Sequence, residues 1–153
     1  MAGTSGELAH RAGELTTALT LIDNSEVVVH GAGRTDAGVH AVGQVANVHL
    51  SRDMSPLRLR SAINGNTGRD LSVVEVERAS EDFHARFSAT GKTYIYRIYH
   101  APFISPFWVR YAHHEARNLN LDRLREAAQL FLGAHDWTAF SSIHADARTR
   151  VGQ

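Results

Sequence analysis

Val27-Val-Val-His-Gly-Ala-Gly-Arg-Thr-Asp-Ala-Gly-Val-His-Ala41 runs three consecutive valines into a glycine-punctuated loop bearing a single carboxylate, Asp36. β-Branched side chains are stiff at χ1 and pack well on a pleated surface, so residues 26–33 are expected as a buried strand. Asp36 follows Arg34 by two positions and lies between Gly33 and Gly38. Those two glycines let the backbone turn closely around a large ligand. A carboxylate on a tight loop beside a fixed cation suits a reactive centre; the plainer alternative is an aspartate that caps a turn.

Outward from this loop the pattern mixes helix and strand. Leu8, Ala12, Leu15, Leu19 and Ile22 recur at spacings of three and four, which predicts an amphipathic helix over 6–22. Gln44, Ala46, Val48 and Leu50 share one face of a second strand. Ser55-Pro56 reads as a helix start, serine as cap and proline at the first helical position, with the end near Asn64-Gly65-Asn66. Val73, Val74 and Val76 mark a third strand, and 93–99 a fourth, with Tyr94, Tyr96 and Ile98 on one face. Residues 101–120, holding two of the three prolines, are expected as a long irregular connection. Leu121, Leu124, Ala128 and Phe131 restore helical spacing, with Gly133 as the C-terminal cap. Without regular βαβ alternation the fold class is α+β.

Composition narrows the function classes. The 153 residues are 43% hydrophobic and 21% charged, a globular balance. No run approaches the roughly 20 apolar residues that cross a bilayer, and no basic segment precedes an apolar run at the N-terminus. The chain has no cysteine, which excludes disulfides, thiol catalysis and cysteine-based zinc sites. The expectation is a cytoplasmic protein with no membrane partner. Net charge is zero, yet residues 1–83 carry −4 and residues 84–153 carry +4. Fifteen of the sixteen Lys and Arg residues are arginine, whose planar fork suits phosphate; a general preference for Arg over Lys explains the ratio equally well.

Several motifs do not hold. Gly31-Ala-Gly33 begins like a dinucleotide fingerprint, but the third glycine position is Asp36 and a strand is expected to follow. Gly91-Lys92-Thr93 ends like a phosphate-binding P-loop, but the earlier glycine is Arg86. Ten histidines raise a metal reading, with His113-His114 and His135-Asp136 as the obvious pairs. Such sites need further ligands at helical spacing, which the sequence does not supply, so no metal site is expected.

Arg34-Thr-Asp-Ala-Gly-Val-His-Ala41 resembles, without a mismatch, the signature of TruA-type tRNA pseudouridine synthases. Phe83-His-Ala-Arg-Phe-Ser-Ala89 with Lys92-Thr-Tyr-Ile-Tyr96 is a second specific match. Val42-Gly-Gln-Val45, Ala62-Ile-Asn64, Asp70-Leu-Ser-Val73, Asp136-Trp-Thr-Ala-Phe-Ser-Ser142 and Arg148-Thr-Arg150 follow the family pattern in order. The resemblance implies isomerisation of uridine to pseudouridine at positions 38–40 of the tRNA anticodon arm, with no metal and no organic cofactor. It implies Asp36 as the essential carboxylate and Arg34 as its partner, helping to hold the flipped nucleotide. Tyr94 would lie against the target base, and Gly33, Gly38 and His40 complete the implied substrate-binding set. A homodimer is expected. On spacing alone, Tyr94 reads equally as a core aromatic of a strand.

The same resemblance implies a pseudouridine synthase-like mixed or antiparallel sheet with helices on one face. Residues 1–83 would form the catalytic-loop half, and 84–153 the start of a second, partial half. The family's first strand, with its Tyr-Asp-Gly and Gly-Trp-Gln segments, has no counterpart here, nor have the strands and helix that follow Arg150. A chain truncated at both ends is therefore expected. Two further readings stand beside the synthase: an RNA-binding remnant of the same ancestry, and a metal-dependent hydrolase built on the histidines.

Overall fold

Capping decides where the helices begin. In the computed structural model, which describes residues 6–140 and 151–152, helix α1 spans Gly6–Asp23, α2 Pro56–Asn66 and α3 Leu121–Gln129. Ser55 Oγ accepts from Arg58 N at 3.4 Å, and Pro56 takes the first position, where a missing N–H costs nothing. Asn120 Oδ1 does the same for α3, accepting from Arg123 N at 3.0 Å. Beyond Gln129 the chain tightens into i→i+3 bonds as far as Leu132, and Gly133, at φ 98°, reverses it. The expected glycine cap is thus displaced past the helix end: Leu130, still right-handed, occupies the cap itself. None of the described helices is long and apolar enough to cross a membrane.

A buried carboxylate ties α1 to the start of α2. Asp23, the last residue of α1, is only 3% exposed, and Asn24 leaves the helix in the left-handed region at φ 56°. Asp23 Oδ2 accepts from Ser25 Oγ at 2.5 Å, Ser51 N at 3.0 Å and Ser51 Oγ at 2.9 Å; Oδ1 accepts from Arg52 N at 2.9 Å. Four donors on one carboxylate offset its desolvation. They hold its pKa far below the usual carboxylate range, the Ser25 hydroxyl most strongly and the Ser51 amide next.

The core beside this tie is small and comes from both helices. Leu19, Val27, Leu59 and Ile63 are its buried centre, flanked by Leu15, Ile22, Val29, Val48, Leu50, Met54, Val73 and Val76. Val27 faces inward, Val28 is 61% exposed and Val29 is half-buried, the two-residue alternation of a strand.

The strands are shorter than their sequence pattern. The expected strand over 26–33 reduces to β1, His30–Gly31, and the second to β2, Ala46–Asn47. They pair antiparallel with His30 opposite Asn47 and Gly31 opposite Ala46. The expected third strand forms no ladder. Instead the Asn64 amide stands in for a neighbouring strand, donating to Val73 O at 2.9 Å and accepting from Val73 N at 2.7 Å, while Arg60 donates to Val74 O at 3.1 Å. The fourth shrinks to β3, Ile98–His100. β3 pairs in parallel with β4, His113–Glu115, inside the stretch expected to be irregular. β5, His135–Asp136, pairs antiparallel with β6, Val151–Gly152. The α+β class holds, but the described residues form three separate two-stranded ribbons rather than one mixed sheet. Side-chain alternation specifies which face is buried; a ladder also needs a second backbone alongside.

Two compact units result, Met1–Ile95 and Tyr96–Gln153. Residues 84–95 therefore pack with the first unit. In the second unit Glu115 receives both arms of the Arg117 guanidinium, at 2.9 and 2.6 Å, which with the Arg117 amide lowers its pKa to about 2.

Two stability predictions follow from this arrangement. Leu19→Ala removes the most deeply buried side chain and is expected to cost about 2–5 kcal/mol in denaturant unfolding; a change below about 1 kcal/mol would place the core elsewhere. Because Asp23 has a lowered folded pKa, its contribution is complete above the ordinary carboxylate range and is lost as pH falls below about 4. The wild-type melting temperature should therefore fall more steeply between about pH 4 and pH 2 than that of Asp23→Asn. Parallel curves would show that the tie is energetically silent.

Candidate active site

The loop carrying Asp36 is a hairpin connection with a fixed base and an open tip. Ala32 N donates to Val45 O at 2.8 Å, extending the β1–β2 ladder by one bond. Gln44 Nε2 donates to Gly33 O at 3.0 Å, while Gln44 Oε1 accepts from Val45 N at 3.2 Å. At the tip, Val39 N donates to Asp36 O at 3.0 Å, closing a four-residue turn with Gly38 third at φ 79°. That is a type II turn, whose third position takes glycine because a Cβ is strained at positive φ. Asp36 spends its carbonyl on this bond and projects an exposed carboxylate.

The expected partners are placed unevenly. Arg34 is exposed, and among the described residues no hydrogen bond or ion pair joins it to Asp36. Both residues are exposed to solvent, a setting in which an ion pair gains little over water. His40 is exposed on the same loop. Tyr94 is 82% exposed, so its reading as a core aromatic does not hold. Gly33 is half-buried for a reason the sequence did not reveal: a Cβ there would meet Lys92 Nζ at 2.6 Å and Cε at 3.5 Å.

The second motif docks on the base of this hairpin. His84 O accepts from Phe87 N at 3.0 Å and Ser88 N at 2.8 Å, and Ser88 Oγ accepts from His84 N at 3.1 Å, making a self-capped turn. Ala85 is buried, and its N–H donates to Asn47 Oδ1 on β2 at 2.9 Å. The His84 ring lies 5.0 Å from His30 of β1 and 4.4 Å from Phe87. Two motifs more than forty residues apart in sequence thus share one ribbon. Gln44, Asn47 and His84 are the contributors missed by reading along the chain. Each was visible only as part of a strand or a quoted block, because a side-chain amide's partner is not written in local spacing.

One histidine of each pair singled out for metal serves the backbone. His114 Nε2 lies 2.8 Å from Ala101 O and His135 Nε2 2.7 Å from Leu132 O, so each ring nitrogen carries its proton toward a carbonyl. Asp136 Oδ1 accepts from Thr138 N at 2.9 Å and Thr138 Oγ1 at 2.5 Å. Among the described residues no three His, Asp or Glu side chains gather as a ligand set.

What the hairpin offers is one outward carboxylate on a pre-formed turn, with a guanidinium two residues away and an ammonium over the entering glycine. Comparison with known proteins matches this region. A family model described as tRNA pseudouridine synthase covers residues 7–88. A protein of Bacillus sp. (strain KSM-64) named tRNA pseudouridine synthase A is 39% identical over 139 residues, covering 91% of this chain and 57% of that protein. Its namesakes in Agrobacterium fabrum and Limosilactobacillus reuteri are 41% and 40% identical, over 91% and 82% of this chain and 53% and 49% of theirs. The chain therefore spans about half the length of these relatives. With a family model matched across the hairpin and both core helices, this chain belongs to the tRNA pseudouridine synthase family.

Proposed function

We propose that this chain carries the catalytic loop of a tRNA pseudouridine synthase acting on uridines 38–40 of the anticodon arm. The observation that carries the reading is the Asp36–Val39 turn, which fixes the backbone and leaves one carboxylate facing outward. In the reaction the N1–C1′ glycosidic bond breaks, the uracil turns while bound, and C5 joins C1′. The C5 proton leaves to solvent and N1 gains one, so substrate and product are isomers and no redox partner or cofactor is needed. Asp36 is the group that initiates cleavage or attacks as nucleophile. Arg34, His40 and the backbone at Gly33 and Gly38 would contact the flipped nucleotide, with Tyr94 offering a π-face to the base.

Moving a uridine out of its stack costs a few kcal/mol, and filling the vacated space with a cationic side chain offsets part of that. The arginine-rich residues 84–153, with their net +4, suit the phosphates that accompany the base. We read 1–83 as the catalytic-loop half and 84–153 as the beginning of the second, with 84–95 packed back on the first, working in the cytoplasm as a homodimer. The RNA-binding remnant is the competing reading, favoured by one observation: Arg34 and Asp36 are both exposed, with no hydrogen bond or ion pair between them.

Tritium release from tRNA labelled at uridine C5 separates the two. Wild-type chain is expected to release tritium, and Asp36→Asn to lose about 10³-fold or more of that rate while retaining tRNA binding. Binding without release by the wild type would leave only the remnant. Arg34→Ala is expected to lower kcat more than affinity; a loss confined to affinity, with a shallower salt dependence, would make Arg34 a phosphate contact instead.

A further inference from the structure

The geometry points to Lys92, the one lysine of the chain, as a positioning residue for the catalytic loop, an assignment that rests on the reading of Asp36 given above. Its Nζ and Cε occupy the space a side chain at Gly33 would fill, 2.6 and 3.5 Å from the Cβ site. Adding one carbon–carbon bond places the ammonium no farther than about 4 Å from Gly33 Cα. Gly33 is the residue through which the chain enters Arg34 and Asp36, and its carbonyl is already taken by Gln44. The entering backbone is thus fixed at its carbonyl and crowded at its Cα, while the tip stays open.

Lys92 does not arrive there on a free tail. It follows the 83–89 turn, which is pinned to the hairpin base by the Asn47–Ala85 bond and the His30–His84 ring contact. The tip of the side chain, Nζ first and Cε behind it, is the part that lies over the glycine, on a lysine that is otherwise exposed. An ammonium so placed does two things. It limits the conformations open to the loop entrance, and it sets a positive charge over the residue three positions before Asp36 in the chain. A larger residue at 33 would have to displace the lysine tip, which is the contact the substitution tests.

Amide hydrogen exchange of the whole chain, without substrate, tests the geometry. Lys92→Ala is expected to speed exchange across 32–45 while leaving the α1 and α2 amides unchanged. Gly33→Ala should do the same alone, yet add nothing in the Lys92→Ala background, because the atoms it strikes are gone. In tritium release, Lys92→Ala should lower kcat about 10–100-fold at unchanged KM. Unchanged loop exchange, additive effects of the two substitutions, or a rise in KM with a weakened salt dependence would each overturn the assignment. Faster exchange throughout the chain with a lowered melting temperature would overturn it too, making Lys92 a residue of the fold. A wild-type chain silent in tritium release would overturn the reading of Asp36 itself, whatever the exchange shows.

Discussion

One buried carboxylate sets the frame on which the loop is hung. Asp23 ends α1 and collects the Ser51 and Arg52 amides, so the chain leaving β2 must return to that helix before α2 begins. A charge taken from water is tolerated only when its lone pairs are filled, and here two hydroxyls and two amides fill them. The helices then enclose Leu19, Leu59 and Ile63, and Val27 closes the same cluster from the segment entering β1. The hairpin is therefore anchored at both roots: through Val27 before β1, and through Ser51 and Arg52 beyond β2. The tip carrying Asp36 lies between two fixed points.

The helices were legible because everything that makes them is local. Ser55-Pro56 and the apolar spacing of α1 each act within a turn or two of chain, and the structure reproduces those two helices within a residue or so, whereas α3 stops at Gln129, short of the expected Gly133 cap. The strands were legible only as faces. Val27, Val28 and Val29 alternate as a strand should, yet no ladder forms there among the described residues. At Val73 the partner is the side chain of Asn64, nine positions back, a solution that leaves no period in the sequence. The parallel pairing of Ile98–His100 with His113–Glu115 was hidden for the opposite reason. Prolines and polar residues around it read as a connection, and register depends on a segment fifteen positions away.

The site divides along the same line. Asp36 and Gly38 could be read from the loop itself, because an aspartate often opens a turn and a glycine is what the third position of a type II turn takes. Arg34 was legible as a neighbour in sequence but not as an ion pair, since closeness along the chain does not set side-chain direction. Gln44, Asn47 and Lys92 act across eleven, thirty-eight and fifty-nine positions respectively, distances over which spacing carries no signal. The second motif had meaning as a family resemblance first. Its physical meaning, a self-capped turn seated on the ribbon that carries the first motif, required coordinates.

The contrast between a fixed base and an exposed tip has a chemical consequence for the proposed reaction. An exposed carboxylate is fully hydrated, and hydration weakens both its nucleophilicity and its attraction to a cation. Arg34 and Asp36 consequently have little reason to pair until something excludes water from both. A flipped uridine with its phosphates would supply that exclusion: the base covers the carboxylate while the phosphates draw the guanidinium. In this reading the loop is ordered in advance where backbone must not move, and left open where substrate completes the dielectric. Substrate binding and activation of Asp36 would then be one event, which suits an enzyme whose target leaves its stack only in the bound state.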